Sequence, residues 1–146
     1  MSEDIKFYVP GIPAPGGSKK GYIHPKTKRI IIVEDCQRNK PWRDRVVTFA
    51  MDHRPKELLT DAIYLQVDFL MPRPKSHFGT GKNSAILKKS APKYHTKKPD
   101  ATKLLRALED ALTGVIWRDD EQVVKQLVRK AYSDHPGALV TISIIE

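Results

Sequence analysis

Hydrophobic positions along the chain switch between a period of two and a helical period, with Pro/Gly punctuation at the changes. Residues 5–9 alternate and predict a strand, ended by Pro10-Gly11-Ile12-Pro13-Ala14-Pro15-Gly16-Gly17. Residues 21–23 and 29–33 flank His24-Pro25-Lys26-Thr27-Lys28 and read as a hairpin around a turn. Asp35 is an expected N-cap for a helix reaching about Met51, in which Trp42, Val46, Phe49 and Ala50 recur at helical spacing. Pro41 sits inside that span, so the regular helix can start only there. Residues 61–71 predict a strand with Ile63, Leu65, Val67 and Phe69 on one face. The clearest helix covers 100–113: Leu104, Leu105, Leu108, Ala111 and Leu112 fall on one stripe, and Gly114 is its stop. Residues 121–131 and 138–145 give two further strands joined by Ser133-Asp134-His135-Pro136-Gly137. The pattern predicts an α/β (α+β) chain: one domain over residues 1–146, with a mixed sheet of about five strands and two main helices.

Composition narrows the class. A chain of 146 residues fits one domain with its own core. Its single cysteine, Cys36, excludes an internal disulfide framework and a cysteine zinc cluster. The longest apolar run, Ile30-Ile31-Ile32-Val33, is far too short to span a membrane, and Met-Ser-Glu-Asp does not open a signal peptide. The expectation is a cytoplasmic protein without a membrane partner or small-molecule cofactor. No spacing joins Cys36 to His24 or His53 for thiol catalysis.

With 26 Lys+Arg against 17 Asp+Glu, the formal net charge is +9, which suggests an anionic partner, above all a nucleic acid. Position says more than the total. The stretch 73–98 carries Arg73, Lys75, Lys82, Lys88, Lys89, Lys93, Lys97 and Lys98 and no acidic residue. It shows no steady period and reads as a basic loop over about 72–99, with a short helical turn near 84–89. Lys19, Lys20, Lys26, Lys28 and Arg29 form a second basic block. Solvated faces account for many such runs, but two of them beside an acidic cluster favour phosphate contact. Tyr22 and Tyr94, each among lysines, are candidates for stacking on bases. His77 and His95 lack zinc-type spacing, and Trp117 reads as core or dimer interface.

The acidic cluster follows the clearest helix. Asp100 stands at its start, where a carboxylate can cap exposed N–H groups or hold a cation. Lys103, Arg106 and Asp110 share the polar side, and Asp110 can equally be half of an (i, i+4) pair with Arg106. Beyond the helix, Asp119-Asp120-Glu121 sit between an apolar run and a strand. Such a concentration in a basic protein calls for a cation, and Mg²⁺ needs only a few carboxylates; an acidic turn capping the strand is the structural alternative.

Lys98-Pro99-Asp100-x-x-x-Leu104-x-Arg106-Ala107-x-x-Asp110-Ala111-Leu112-Thr113, followed by Trp117-x-Asp119-Asp120-x-Gln122-Val123-Val124, resembles the signature of the RusA family of Holliday-junction resolvases, common in phages and prophages. The resemblance implies a homodimeric, Mg²⁺-dependent endonuclease (Mn²⁺ a possible substitute) that cuts four-way and other branched DNA by paired phosphodiester hydrolysis in recombination and repair. By motif position it implies catalytic and metal-binding roles for Asp100, Asp119 and Asp120, with Arg106 in place of the family's helical lysine. Lys19, Lys20, Lys93, Lys97, Lys98 and Lys103 are the expected DNA-binding residues.

One departure stands out. The second aspartate of the family's D-x-D falls at Thr102, which can ligate through its hydroxyl but brings no charge, and Lys103 replaces the asparagine after it. Asp68, Glu109 and Asp110 are the candidate compensating carboxylates. Glu109 lies near the azimuth of Thr102 but roughly 10 Å further along the helix, which argues against the same coordination position. The alternative reading is therefore a non-catalytic or weakly active branched-DNA-binding protein on the same scaffold. A general basic nucleic-acid module explains the lysines but leaves the carboxylates unexplained.

Overall fold

The computed structural model describes residues 3–16, 19–34 and 38–146, with the side chains of 19–22 and 31–34 excepted. Six strands and two α-helices follow in the order β1 (Ile5–Pro10), β2 (Lys19–Ile23), β3 (Ile30–Glu34), α1 (Asn39–Met51), β4 (Ala62–Met71), α2 (Ala101–Leu112), β5 (Val123–Tyr132) and β6 (Gly137–Ile145). The main sheet has four strands in the order β1-β6-β4-β5, and β2 and β3 pair only with each other. The expectation of about five strands in one sheet is corrected accordingly: the hairpin around 24–28 is a separate ribbon. The order is mixed, since β6 runs antiparallel to both β1 and β4 while β5 runs parallel to β4. Only that parallel pair needs a crossover, and the basic segment with α2 supplies it.

Strict alternation makes β4 one-sided. Ile63, Leu65, Val67, Phe69 and Met71 are buried, with half-exposed residues between them. The α2 stripe closes over this face through Leu104, Leu105, Leu108, Ala111 and Leu112, beside Trp42, Val46 and Ala50 of α1. Trp117 is fully buried, which places it in the core, and its indole Nε1 donates to Thr113 Oγ1 at 3.0 Å.

The expected start of the first helix changes. The first helix starts at Asn39, with Arg38 preceding it, while Asp35 and Cys36 lie outside the described residues. Asn39 is buried and donates through Nδ2 to the Pro15 carbonyl, which ties the Pro/Gly segment to the helix start. That segment then crosses α2 closely: Gly16 N–H donates to the Lys103 carbonyl, and a Cβ on Gly16 would lie 3.1 Å from Ala107 Cα. The stop after α2 falls where expected, with Gly114 at φ +85°.

The basic segment is built, not structureless. Short 3₁₀ turns occupy Lys75–His77 and Gly81–Asn83, in place of the turn expected near 84–89. Isolated bridges join Phe78 to Leu87 and Tyr94 to Ala131. No described helix is long and apolar enough to cross a membrane.

Candidate active site

The polar side of α2 and the start of β5 enclose a cleft of about 280 Å³, lined by Thr102, Leu105, Arg106, Glu109, Asp110, Asp120 and Gln126. Helical spacing puts Thr102, Arg106, Glu109 and Asp110 along one side of α2. Asp120 and Gln126 come from the chain entering β5, which the parallel crossover lays beside that helix.

The three motif aspartates have three different situations. Asp100 precedes α2 with extended backbone but makes no capping hydrogen bond, so the capping expectation fails and its carboxylate is left to the surface. Its nearest cation is Lys103 Nζ, at 3.9 Å. Asp119, by contrast, is the capping residue. Its Oδ1 accepts from Glu121 N–H at 3.2 Å, while Gln122 Oε1 accepts from Asp119 N–H at 2.7 Å. The structural alternative of an acidic turn capping the strand thus describes Asp119, and it leaves Asp120 pointing to the cleft. Gln122 also donates through Nε2 to the carbonyls of Leu59 and Asp61, at 2.9 and 3.0 Å, fixing this turn to the entrance of β4.

Like charges crowd the cleft. The Asp120 carboxyl is held above the ordinary aspartate range, chiefly because a proton on it is shared with Asp119, then by lost solvation and by the charges of Asp119 and Asp110. Burial raises Glu109 as well, with Asp120 and Asp110 adding repulsion, although a hydrogen bond from Gln126 Nε2 acts the other way. Among the described residues no ion pair joins Arg106 to Asp110, so the expected helical pair is absent.

The oxygen-rich lining fits a hard divalent ion, because Mg²⁺ keeps several waters and takes one or two protein carboxylates. Among the described residues no three His, Cys, Asp or Glu side chains are gathered as a ready-made cage. Asp120, Asp110 and Glu109 line the cleft, whereas Asp100 stands outside the lining, one residue before α2.

The candidates for the charge missing at Thr102 separate clearly. Glu109 shares the cleft with Thr102, despite the expected separation along the helix. Asp68 is corrected: it lies on the other face of β4, away from the buried Val67 and Phe69, and forms a forked pair with Arg129 at 2.6 and 3.1 Å. Alternation along β4 is the reason, since one residue step changes the face.

Two residues of this region carry no motif signal in the sequence. Gln126 reaches Glu109 from a strand whose neighbours are charged, and only the register of β5 reveals it. Lys130 donates through Nζ to the carbonyls of Lys97 and Pro99, both at 2.8 Å, and so holds the turn that delivers Asp100. Desolvation lowers the Lys130 ammonium from its ordinary value, while Asp100 acts to raise it.

The expected DNA contacts divide by location. Lys97, Lys98 and Lys103 are exposed around the start of α2, whereas Lys93 is exposed on the other face of the sheet, beside Asp68, Arg129 and Leu139. Lys19 and Lys20 lie in β2, and their side chains, like that of Tyr22, are outside the described residues. Tyr94 is 53% exposed, with Lys93 Nζ at 5.4 Å from its ring centre. His95 is not a ligand candidate but packs edge-on against Tyr132, ring centres 5.1 Å apart.

Comparison with known proteins shows the family. Over 138 residues, 94% of both chains, the sequence is 32% identical to a Bacillus subtilis (strain 168) protein named Uncharacterized protein YqaN. Residues 13–143 match the family described as Endodeoxyribonuclease RusA, a span that includes the cleft, the capped acidic turn and the basic segment. The chain therefore belongs to the RusA endodeoxyribonuclease family.

Proposed function

We propose that the protein is a Mg²⁺-dependent endonuclease that resolves four-way DNA junctions by paired phosphodiester hydrolysis, acting as a homodimer. The observation that carries this reading is the cleft itself: Asp120, Asp110 and Glu109 line it together with Thr102 and Arg106, in a chain of net charge +9. Structural acidic turns neutralise their charge with caps or cations. Here the cap engages Asp119, while Asp120 lines the cleft with no cation paired to it among the described residues.

Asp120 would be the principal ligand, with Glu109 and Asp110 supplying the charge that Thr102 lacks and Asp100 a further motif carboxylate. Bound there, the metal would activate water and offset charge on the transferring phosphoryl group. Arg106 lines the same cleft and can hold a non-bridging phosphate oxygen through its planar fork. Lys103 sits one turn away, close enough to Asp100 to orient that carboxylate between turnovers. Lys97 and Lys98 would follow the backbone of the arm entering the site, and Lys93 would meet DNA from the other face of the sheet. Two subunits give two identical sites for symmetric cuts. The partly apolar open face of the main sheet, where Leu127 and Leu139 are 42% and 46% exposed, supports association.

Replacing Thr102 tests the site directly. Thr102→Asp restores the charge and should lower the Mg²⁺ concentration needed for half-maximal junction cleavage, by about threefold or more. An unchanged or raised requirement would place the metal elsewhere. Tight junction binding without nicks, in wild type and in Thr102→Asp alike, would favour the non-catalytic binding protein.

A further inference from the structure

The basic segment carries a feature that the cleft does not use. Residues 80–90 are all exposed, yet their backbone closes on itself. Asn83 N–H donates to the Thr80 carbonyl, Ser84 to Gly81, Ile86 to Asn83, and Gly79 to Ile86, at 2.9–3.1 Å. Lys88 N–H donates to the His77 carbonyl at 2.9 Å, beside the bridge between Phe78 and Leu87. A lobe ordered in this way holds its side chains in place without burying them. Ile86 and Leu87, adjacent in the chain, are 60% and 45% exposed.

The root of the lobe is pinned. The Arg73 guanidinium lies 5.1 Å from the Tyr132 ring centre and donates to the Pro92 carbonyl at 2.8 Å. His77 meets the same ring edge-on at 4.7 Å. The segment leaves β4 at Met71 and runs into α2 through Asp100, so the lobe precedes the cleft helix in the chain.

An exposed apolar pair on an ordered protrusion has a hydration cost that binding can remove. Its surroundings define the occupant. Lys82, Lys88 and Lys89 lie within a few residues of the pair, and no acidic side chain occurs from 73 to 98. A polyanion with an accessible apolar interior fits both features: phosphates for the lysines, base faces for Ile86 and Leu87.

We propose that Ile86 and Leu87 form a wedge that enters the branch point of the bound DNA, while Lys82, Lys88 and Lys89 grip the phosphates beside it. This rests on the branched-DNA reading above. Inserted apolar side chains must unstack bases, and a branch point offers interrupted stacking that a continuous duplex does not. The wedge therefore confers preference for branched over linear DNA, whereas the lysines add affinity for both.

The test is binding of the full chain in EDTA to a four-way junction and to a linear duplex, each carrying 2-aminopurine, at the branch point or at the duplex centre. Ile86→Ser with Leu87→Ser should weaken junction binding about tenfold, leave duplex binding and the salt slope unchanged, and abolish the fluorescence rise at the branch. Lys88→Gln with Lys89→Gln should weaken both DNAs alike and reduce the salt slope by about two. The replaced side chains are exposed, so both variants should melt within about 2 °C of wild type. A serine variant that keeps the wild-type junction-to-duplex ratio and fluorescence would overturn the wedge. So would loss of self-association in that variant, which would assign the pair to contact between copies. Absence of junction preference in the wild-type protein would instead overturn the branched-DNA reading on which the wedge rests.

Discussion

Asp119 and Asp120 are adjacent, but their surroundings give them separate roles. Asp119 is committed to backbone N–H groups of the acidic turn, and Asp120 faces the cleft. Asp120→Asn should accordingly abolish metal-dependent cleavage while leaving DNA binding within about threefold, whereas Asp119→Asn should act mainly through stability, at about 1 kcal/mol. Gel-shift affinity, nicking rate and thermal melting separate the two. Glu109 and Asp120 both bind protons more tightly in the folded chain than their ordinary values of 4.5 and 3.8 imply. Their contribution to stability is therefore fully present below those values and declines as pH rises through the raised ones. In EDTA, Glu109→Gln should gain on wild type with rising pH, by about 1–3 °C in Tm, because the amide still accepts from Gln126 but carries no charge. Parallel melting curves from pH 4 to 8 would contradict the charge crowding. Asp68→Asn, on the opposite face, should leave the metal requirement of cleavage unchanged.

At the scale of elements, α2 has two independent sides. Its apolar stripe is buried to the last residue, so Leu108→Ala should cost about 2–5 kcal/mol, measurable by chemical denaturation. The polar side depends on what delivers it. Lys130→Met leaves the carbonyls of Lys97 and Pro99 without their donor, at about 1 kcal/mol, and frees the turn before Asp100. Cleavage should fall at least tenfold more than junction affinity, and Lys130→Arg should restore part of it; equal losses would show a purely structural role. The α2 stripe and the alternation of β4 were legible in the sequence because burial imposes a period on both. The start of α1 was not, since Asn39 earns its place through the Pro15 carbonyl, a contact across the fold. Nor was the order within 72–99: its backbone bonds and the Tyr132 contacts leave no periodic trace. Seven residues of helical rise separate Glu109 from Thr102, as counted along α2, yet both line one cleft. The cleft between α2 and β5 is long enough to include both, and only the second wall shows it.

The molecule as a whole turns one parallel strand pair into a site. Because β5 must return alongside β4, the chain crosses over through the basic lobe and α2, so the basic segment leads directly into the helix that forms one wall of the cleft. The opposite face of the sheet keeps Asp68–Arg129 and the half-exposed leucines for other contacts. On the proposed reading, the acidic cleft and the basic lobe of this RusA-family chain act together in holding and cutting branched DNA. The most direct measurement is cleavage of a synthetic four-way junction and a matched linear duplex, with Mg²⁺ or Mn²⁺ and with EDTA, using wild type, Asp100→Asn and Asp120→Asn. Paired, metal-dependent nicks in the junction alone, lost in both variants, are the expected result. Junction binding without nicks under either metal, or equal cutting of the linear duplex, would contradict it.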